Sequence, residues 1–138
     1  MPIELAVDPV HRIVRATYTG PIFLPELTSH VRTLVVMQLL TLPQLIDGRR
    51  AVLALSEPEI NEFSGLMGTL RQVYGRAPVA FVAGDQISEW VAEHYADAGA
   101  GDNPAFRLFD DLEAAERWIY STKFTHPDSS AITARPPE

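Results

Sequence analysis

Residues 105–120, AFRLFDDLEAAERWIY, constrain the architecture more than any other stretch of the chain. Phe106 and Leu108 alternate with Arg107 and Phe109, and the run is short enough for a strand. Asp110 stands where a helix N-cap would, with Glu113 three residues on, the spacing of a capping box. Asp111 and Glu113 put negative charge in the first turn, where the helix dipole favours it. Leu112, Ala115, Trp118 and Ile119 share one helical face, while Glu113, Glu116 and Arg117 fall outside it. Such a helix must bury its stripe, and the strand that feeds it supplies the surface. The segment therefore predicts a helix lying on a β-sheet, with Trp118 as a core anchor.

The same punctuation recurs upstream. Ile3–Asp8 and Arg12–Thr19 read as an N-terminal β-hairpin joined through Asp8-Pro9-Val10-His11, with Gly20-Pro21 ending the second strand. A helix follows from about Leu24, with Pro25 tolerated in its first turn and Leu27, Val31, Leu34 and Val35 as its buried stripe. Thr41-Leu42-Pro43 is expected to stop it. Gln44–Asp47 is a short strand. Arg49–Leu55 is either its extension or an irregular crossover.

Ser56-Glu57-Pro58-Glu59 is a capping box with an early proline. It starts a helix with Ile60, Phe63, Met67, Leu70 and Tyr74 inward and Gly75 as C-cap. Pro78–Ala83 is an almost continuous apolar run, as in a strand buried on both faces. Asp85 caps a third helix whose apolar face is Ile87, Trp90, Val91, His94, Tyr95 and Ala98. Residues 99–104, GAGDNP, form the loop to the last strand.

The predicted order is ββαβαβαβα, a single α/β domain over residues 1–120. Its mixed sheet of four or five strands carries helices packed on it. Residues 121–138 are rich in Ser, Thr and Pro and are expected to be an extended tail.

Composition removes whole classes of function. The chain has 138 residues, no cysteine and a formal net charge of −7. Disulfides, thiolate metal sites and a thiol nucleophile are therefore excluded. Nucleic-acid binding needs a basic footprint, and Arg49-Arg50 is too small to be one. The apolar patch Leu34–Leu40, broken by Gln38, is too short to span a bilayer. The N-terminus lacks a basic region followed by a long apolar run, and a cytoplasmic location is expected.

Four pieces in succession resemble one family. LPQLIDGRRA is similar to a strand ending in a Leu-hydrophobic-Asp-x-Arg pattern, and ALSEPEI to the helix start that follows it. VAFVAGDQISEWVAEHYADAG and FRLFDDLEAAERWI resemble its last two strand–helix units. The family is the small bacterial SpoIIAA-like group, related to STAS domains and to the CRAL-TRIO lipid-binding fold. The resemblance implies a non-enzymatic role without cofactor. The leading expectation is a regulatory protein-interaction module acting as a homodimer or with a protein partner; the alternative is a carrier of a small apolar ligand or lipid. In STAS antagonists a kinase phosphorylates a serine near the start of the second helix, in a pattern like Asp-Ser-Ser-Gly. This chain departs from that pattern: Ser56 lies between Leu55 and Glu57, and Ser64-Gly65-Leu66 falls inside the helix. Ser56 and Ser64 are the candidate switch positions.

No catalytic constellation stands out. His11, His30, His94 and His126 fall in no triad motif, and Ser64 lacks the G-x-S-x-G elbow. Glu93-His94 has no second histidine at zincin spacing, and His94, Asp97 and Asp102 make a poor metal set. Gly99-Ala100-Gly101 follows a helix rather than a strand, unlike a dinucleotide fingerprint. Two features remain. Asp47 ends a strand where α/β sheets tend to bind ligands, or else pairs with Arg49 or Arg50. Phe63, Met67, Trp90 and Tyr95, with His94 beside them, line an apolar pocket, form a dimer face, or are plain core.

Overall fold

A computed structural model describes residues 2–98 and 106–122. The elements are β1 Ile3–Asp8, β2 Ile13–Ile22, α1 Leu24–Val36, β3 Gln44–Leu53, α2 Glu57–Tyr74, β4 Val79–Ala83, α3 Gln86–Ala98, β5 Phe106–Phe109 and α4 Leu112–Thr122. The order is the predicted ββαβαβαβα. The expected tail boundary at residue 121 falls inside α4; residues 99–105, with the expected loop 99–104, and residues 123–138 lie outside the described residues.

The five strands lie in sequence order across one sheet. β1 pairs antiparallel with β2, and every later pair is parallel. Because consecutive strands step across the sheet in one direction, crossovers of one hand put α1, α2 and α3 on the same face. That face carries Ala16, Tyr18, Ile46 and Phe81 against Leu27, Ile60, Val91 and Ala92. The opposite face carries Ile13, Leu45, Ala80 and Val82 against Ala115 and Ile119 of α4. VAFVA in β4 is thus buried on both sides, which is why its sequence shows no alternation.

β3 resolves the ambiguity over Arg49–Leu55, since the strand continues to Leu53. It does so through a bulge. Thr17 pairs with Asp47 but Thr19 pairs with Arg50, so β3 holds one residue more than β2 there. The bulge reverses the parity. Ile46 faces the three-helix side, and beyond the extra residue Ala51 and Leu53 do so. Gly48 fits this point because a Cβ there would stand 2.6 Å from Phe81 Cζ. Gly84 is needed for a similar reason, as its Cβ would strike the Arg49 carbonyl.

Several expectations are corrected. Gly20-Pro21 does not end β2; Gly20, at φ +75°, and Pro21 pair with Ala51 and Val52 and the strand runs on to Ile22. Helix α1 stops before Thr41-Leu42-Pro43. The Leu39 N–H donates to Leu34 O at 2.8 Å and the Gln38 N–H to Val35 O at 3.1 Å, a Schellman motif with Gln38 at φ +60°. The cap of α4 is Asp111, not Asp110: its carboxylate accepts from the Ala114 N–H at 3.1 Å. Trp118 is half-buried, flanked by Phe109 and lying under the Arg107 guanidinium, so Ala115 and Ile119 are the true anchors.

α3 is rotated from its expected face. Ile87 and Trp90 are exposed, while Ser88, Val91 and Ala92 are buried. The cause lies in β3, which outruns β4 and leaves backbone groups without a strand partner. The Leu53 N–H donates to Ser88 Oγ at 3.1 Å, and that hydroxyl donates to Ala51 O at 3.5 Å. Turning Ser88 inward satisfies buried backbone, and Asp85 caps the helix by accepting from the Ser88 N–H at 3.0 Å. Tyr74, at the end of α2, is likewise exposed rather than inward.

Candidate functional site

The three-helix side holds a partly open cavity of about 110 Å³. Leu27 and Leu34 of α1, Ile60, Phe63 and Met67 of α2, Tyr95 of α3 and Phe81 of the sheet line it. Among the described residues, the wall is apolar apart from Tyr18, His30, Gln44, Arg71 and Tyr95, and no carboxylate belongs to it.

The α1 stripe places His30 in this wall. Leu27, His30, Val31 and Leu34 follow i, i+3, i+4, i+7 spacing, so the histidine takes a core position. It is 7% exposed, its ring lies perpendicular to that of Tyr18 with centroids 5.8 Å apart, and neither ring nitrogen has a hydrogen-bond partner. Burial pushes its pKa down to about 4, so the ring is neutral at pH 7. Burial also raises the Tyr18 phenol above its ordinary value.

Arg71 enters from α2, one turn beyond Met67. Its Nη1 donates to the Tyr95 hydroxyl at 3.3 Å, while its Nε is buried without a partner. Arg71 also borders a second hollow on the outer side of α2, formed with Gly65, Gly68, Thr69, Gln72 and Arg76. Burial raises the Tyr95 phenol, and the Arg71 hydrogen bond opposes that.

The sequence-predicted residues divide. Phe63, Met67 and Tyr95 line the cavity, with Phe63 and Tyr95 in ring contact at 5.6 Å. Trp90 and His94 do not; they stack on each other at 4.1 Å between centroids, on the outer side of α3. Asp47 is on the α4 side of the sheet and grips Arg49, with Oδ1 2.9 Å from Nε and Oδ2 2.9 Å from Nη2. This pairing holds its carboxyl below the ordinary range. Ser56 is the N-cap of α2, exposed, with its hydroxyl 3.1 Å from Glu59 Oε1. Ser64 is buried in α2. Among the described residues no group of three His, Asp or Glu side chains is placed to hold a metal; Asp102 and His126 lie outside them.

His30, Arg71, Tyr18 and Gln44 were not singled out from the sequence. The signal existed for two of them. His30 interrupts an otherwise apolar stripe, and Arg71 continues the i+4 series Phe63, Met67.

No protein-family model and no curated protein matches the chain. Among solved structures, it is similar to an uncharacterized protein of the DUF3478 family with a SpoIIAA-like fold from Shewanella loihica. The TM-score is 0.53 at 17% identity, over 85% of this chain and 91% of that one. The chain therefore has a SpoIIAA-like fold, as the sequence resemblance implied. No helix among the described residues is long and apolar enough to cross a membrane.

Proposed function

We propose that this protein is a non-catalytic, cytoplasmic binding module that carries a small apolar ligand between the sheet and helices α1–α3. One observation carries the reading: the cavity wall holds His30, buried and with both ring nitrogens unpartnered. A buried polar group left unpaired costs about 1–3 kcal/mol, and a ligand bearing one hydrogen-bonding group would remove that cost. An apolar wall with a few converging polar groups is the usual composition of a small-molecule site. Native mass spectrometry after gentle purification tests the reading. It expects an extra mass that survives desalting and leaves on collisional activation; bare protein in every preparation contradicts it.

A second reading, a regulatory interaction module working as a homodimer or with a protein partner, draws support from α3. Ile87 is 58% and Trp90 44% exposed, which sets two large apolar side chains in water on one helix. Sedimentation of the wild type and of Trp90→Ala tests it, together with pull-down from native lysate. Monomer without partner across growth conditions contradicts it. A phosphate-driven switch meets resistance at both serines. At Ser56 a phosphate would face the Glu59 carboxylate that now bonds the hydroxyl, and at Ser64 a kinase would first have to lift α2.

A further inference from the structure

We propose that the ligand is a compact monocarboxylate whose head is held by Arg71, an inference that rests on the carriage reading. The guanidinium is a permanent cation, and it stands at the border between the inner cavity and the outer hollow of α2. Among the described residues, neither hollow has an aspartate or glutamate in its wall. Among the described residues, Arg71 bonds the uncharged Tyr95 hydroxyl, and its Nε donor is buried with nothing to bond. Arg71 is half-buried, yet its buried Nε has no acceptor, and an incoming carboxylate supplies both a counter-charge and that missing acceptor. His30 adds no positive charge, because burial keeps it neutral at pH 7.

The size of the cavity limits the rest of the molecule. Its volume is about 110 Å³. An engineered apolar cavity of about 150 Å³ takes benzene. The apolar body is therefore a ring or short chain of roughly six carbons rather than a long acyl tail. In the inner cavity Arg71 is the one guanidinium among the described wall residues, and this matches one negative charge better than a phosphate dianion, which asks for more donors.

Isothermal titration of the full chain at neutral pH with hexanoate and phenylacetate, against hexanol and 2-phenylethanol, tests the assignment. The acids are expected to bind about ten- to a hundredfold more tightly than the alcohols, the range for a charge-assisted pair. Arg71→Met keeps the apolar stem and should bind acid and alcohol alike. Arg71→Lys should retain part of the preference. Equal affinity of acid and alcohol for the wild type overturns the head-group assignment while leaving carriage intact, and this comparison needs no variant to fold. An acid preference that survives in Arg71→Met overturns it as well. If neither acids nor alcohols bind the wild type, the carriage reading itself fails.

Discussion

The rings of His30 of α1 and Tyr18 of β2 meet at 86° with centroids 5.8 Å apart, and both His30 nitrogens are buried without a partner. A histidine held this way is a liability to the empty fold, and it makes the protein sensitive to mild acid. Its pKa is near 4 in the folded chain against 6.5 when free. The unfolded chain thus binds the proton first. The stability tied to neutral His30 is complete above pH 6.5, falls as pH drops, and is gone below about 4. Over that window the loss is roughly 3 kcal/mol. Melting temperatures of the wild type and His30→Leu between pH 7.5 and 4.5 should diverge, with the variant losing less. Parallel curves would show that His30 is not the group responsible. The lowered carboxyls of Asp8 and Asp47 act at lower pH, because their free values are already 3.8.

The two close-packed glycines and the two open ones should respond oppositely to alanine. A Cβ at Gly84 meets the Arg49 backbone, which cannot step aside, and Gly84→Ala should cost about 3 kcal/mol. At Gly65 and Gly68 in α2 nothing lies within 4 Å of an added Cβ. There, Gly→Ala should stabilise by about 0.5–1 kcal/mol through helix propensity. Urea midpoints of the three variants check both signs.

Helix caps provide a third test. Ser56→Ala should cost about 1 kcal/mol, since its Oγ accepts from the Glu59 N–H while Glu59 bonds back to the Ser56 N–H at 2.9 Å. In α4, Asp111→Ala should cost about the same and Asp110→Ala less than about 0.5 kcal/mol. The reverse ranking in chemical denaturation would place the cap one residue earlier.

On the α4 side, Ile119 is fully buried while Trp118 is only half-buried. Ile119→Ala should cost about 2–5 kcal/mol and Trp118→Ala less than the ~3 kcal/mol expected of a fully buried tryptophan. A larger loss at Trp118 in thermal melts would make its contacts with Phe109 and Arg107 the stronger tie.

The sequence announced every element because each carries its own local signal: the Ser56 capping box, the Asp85 cap, the apolar VAFVA run and the amphipathic close of the chain. What it hid was non-local. The parity switch in β3 depends on an extra residue relative to β2, and neither strand alone records it. The rotation of α3 depends on Ser88 meeting backbone that β4 leaves uncovered, which no helical periodicity contains. Trp90 therefore looked like core and stands in water. In the candidate site, Phe63, Met67 and Tyr95 were legible as an apolar stripe. His30 and Arg71 were not, because polar residues in such stripes become meaningful only once their partners are seen to be missing.

The space between the sheet and α1–α3 is expected to admit a small apolar molecule. Methyl-resolved NMR of the full chain, titrated with benzene, reads this directly. Shifts are expected at Val31, Leu34, Ile60 and Met67, with cross-relaxation from benzene to the Met67 methyl. Shifts confined to exposed Ile87 and Val73, or no shifts at all, would contradict it.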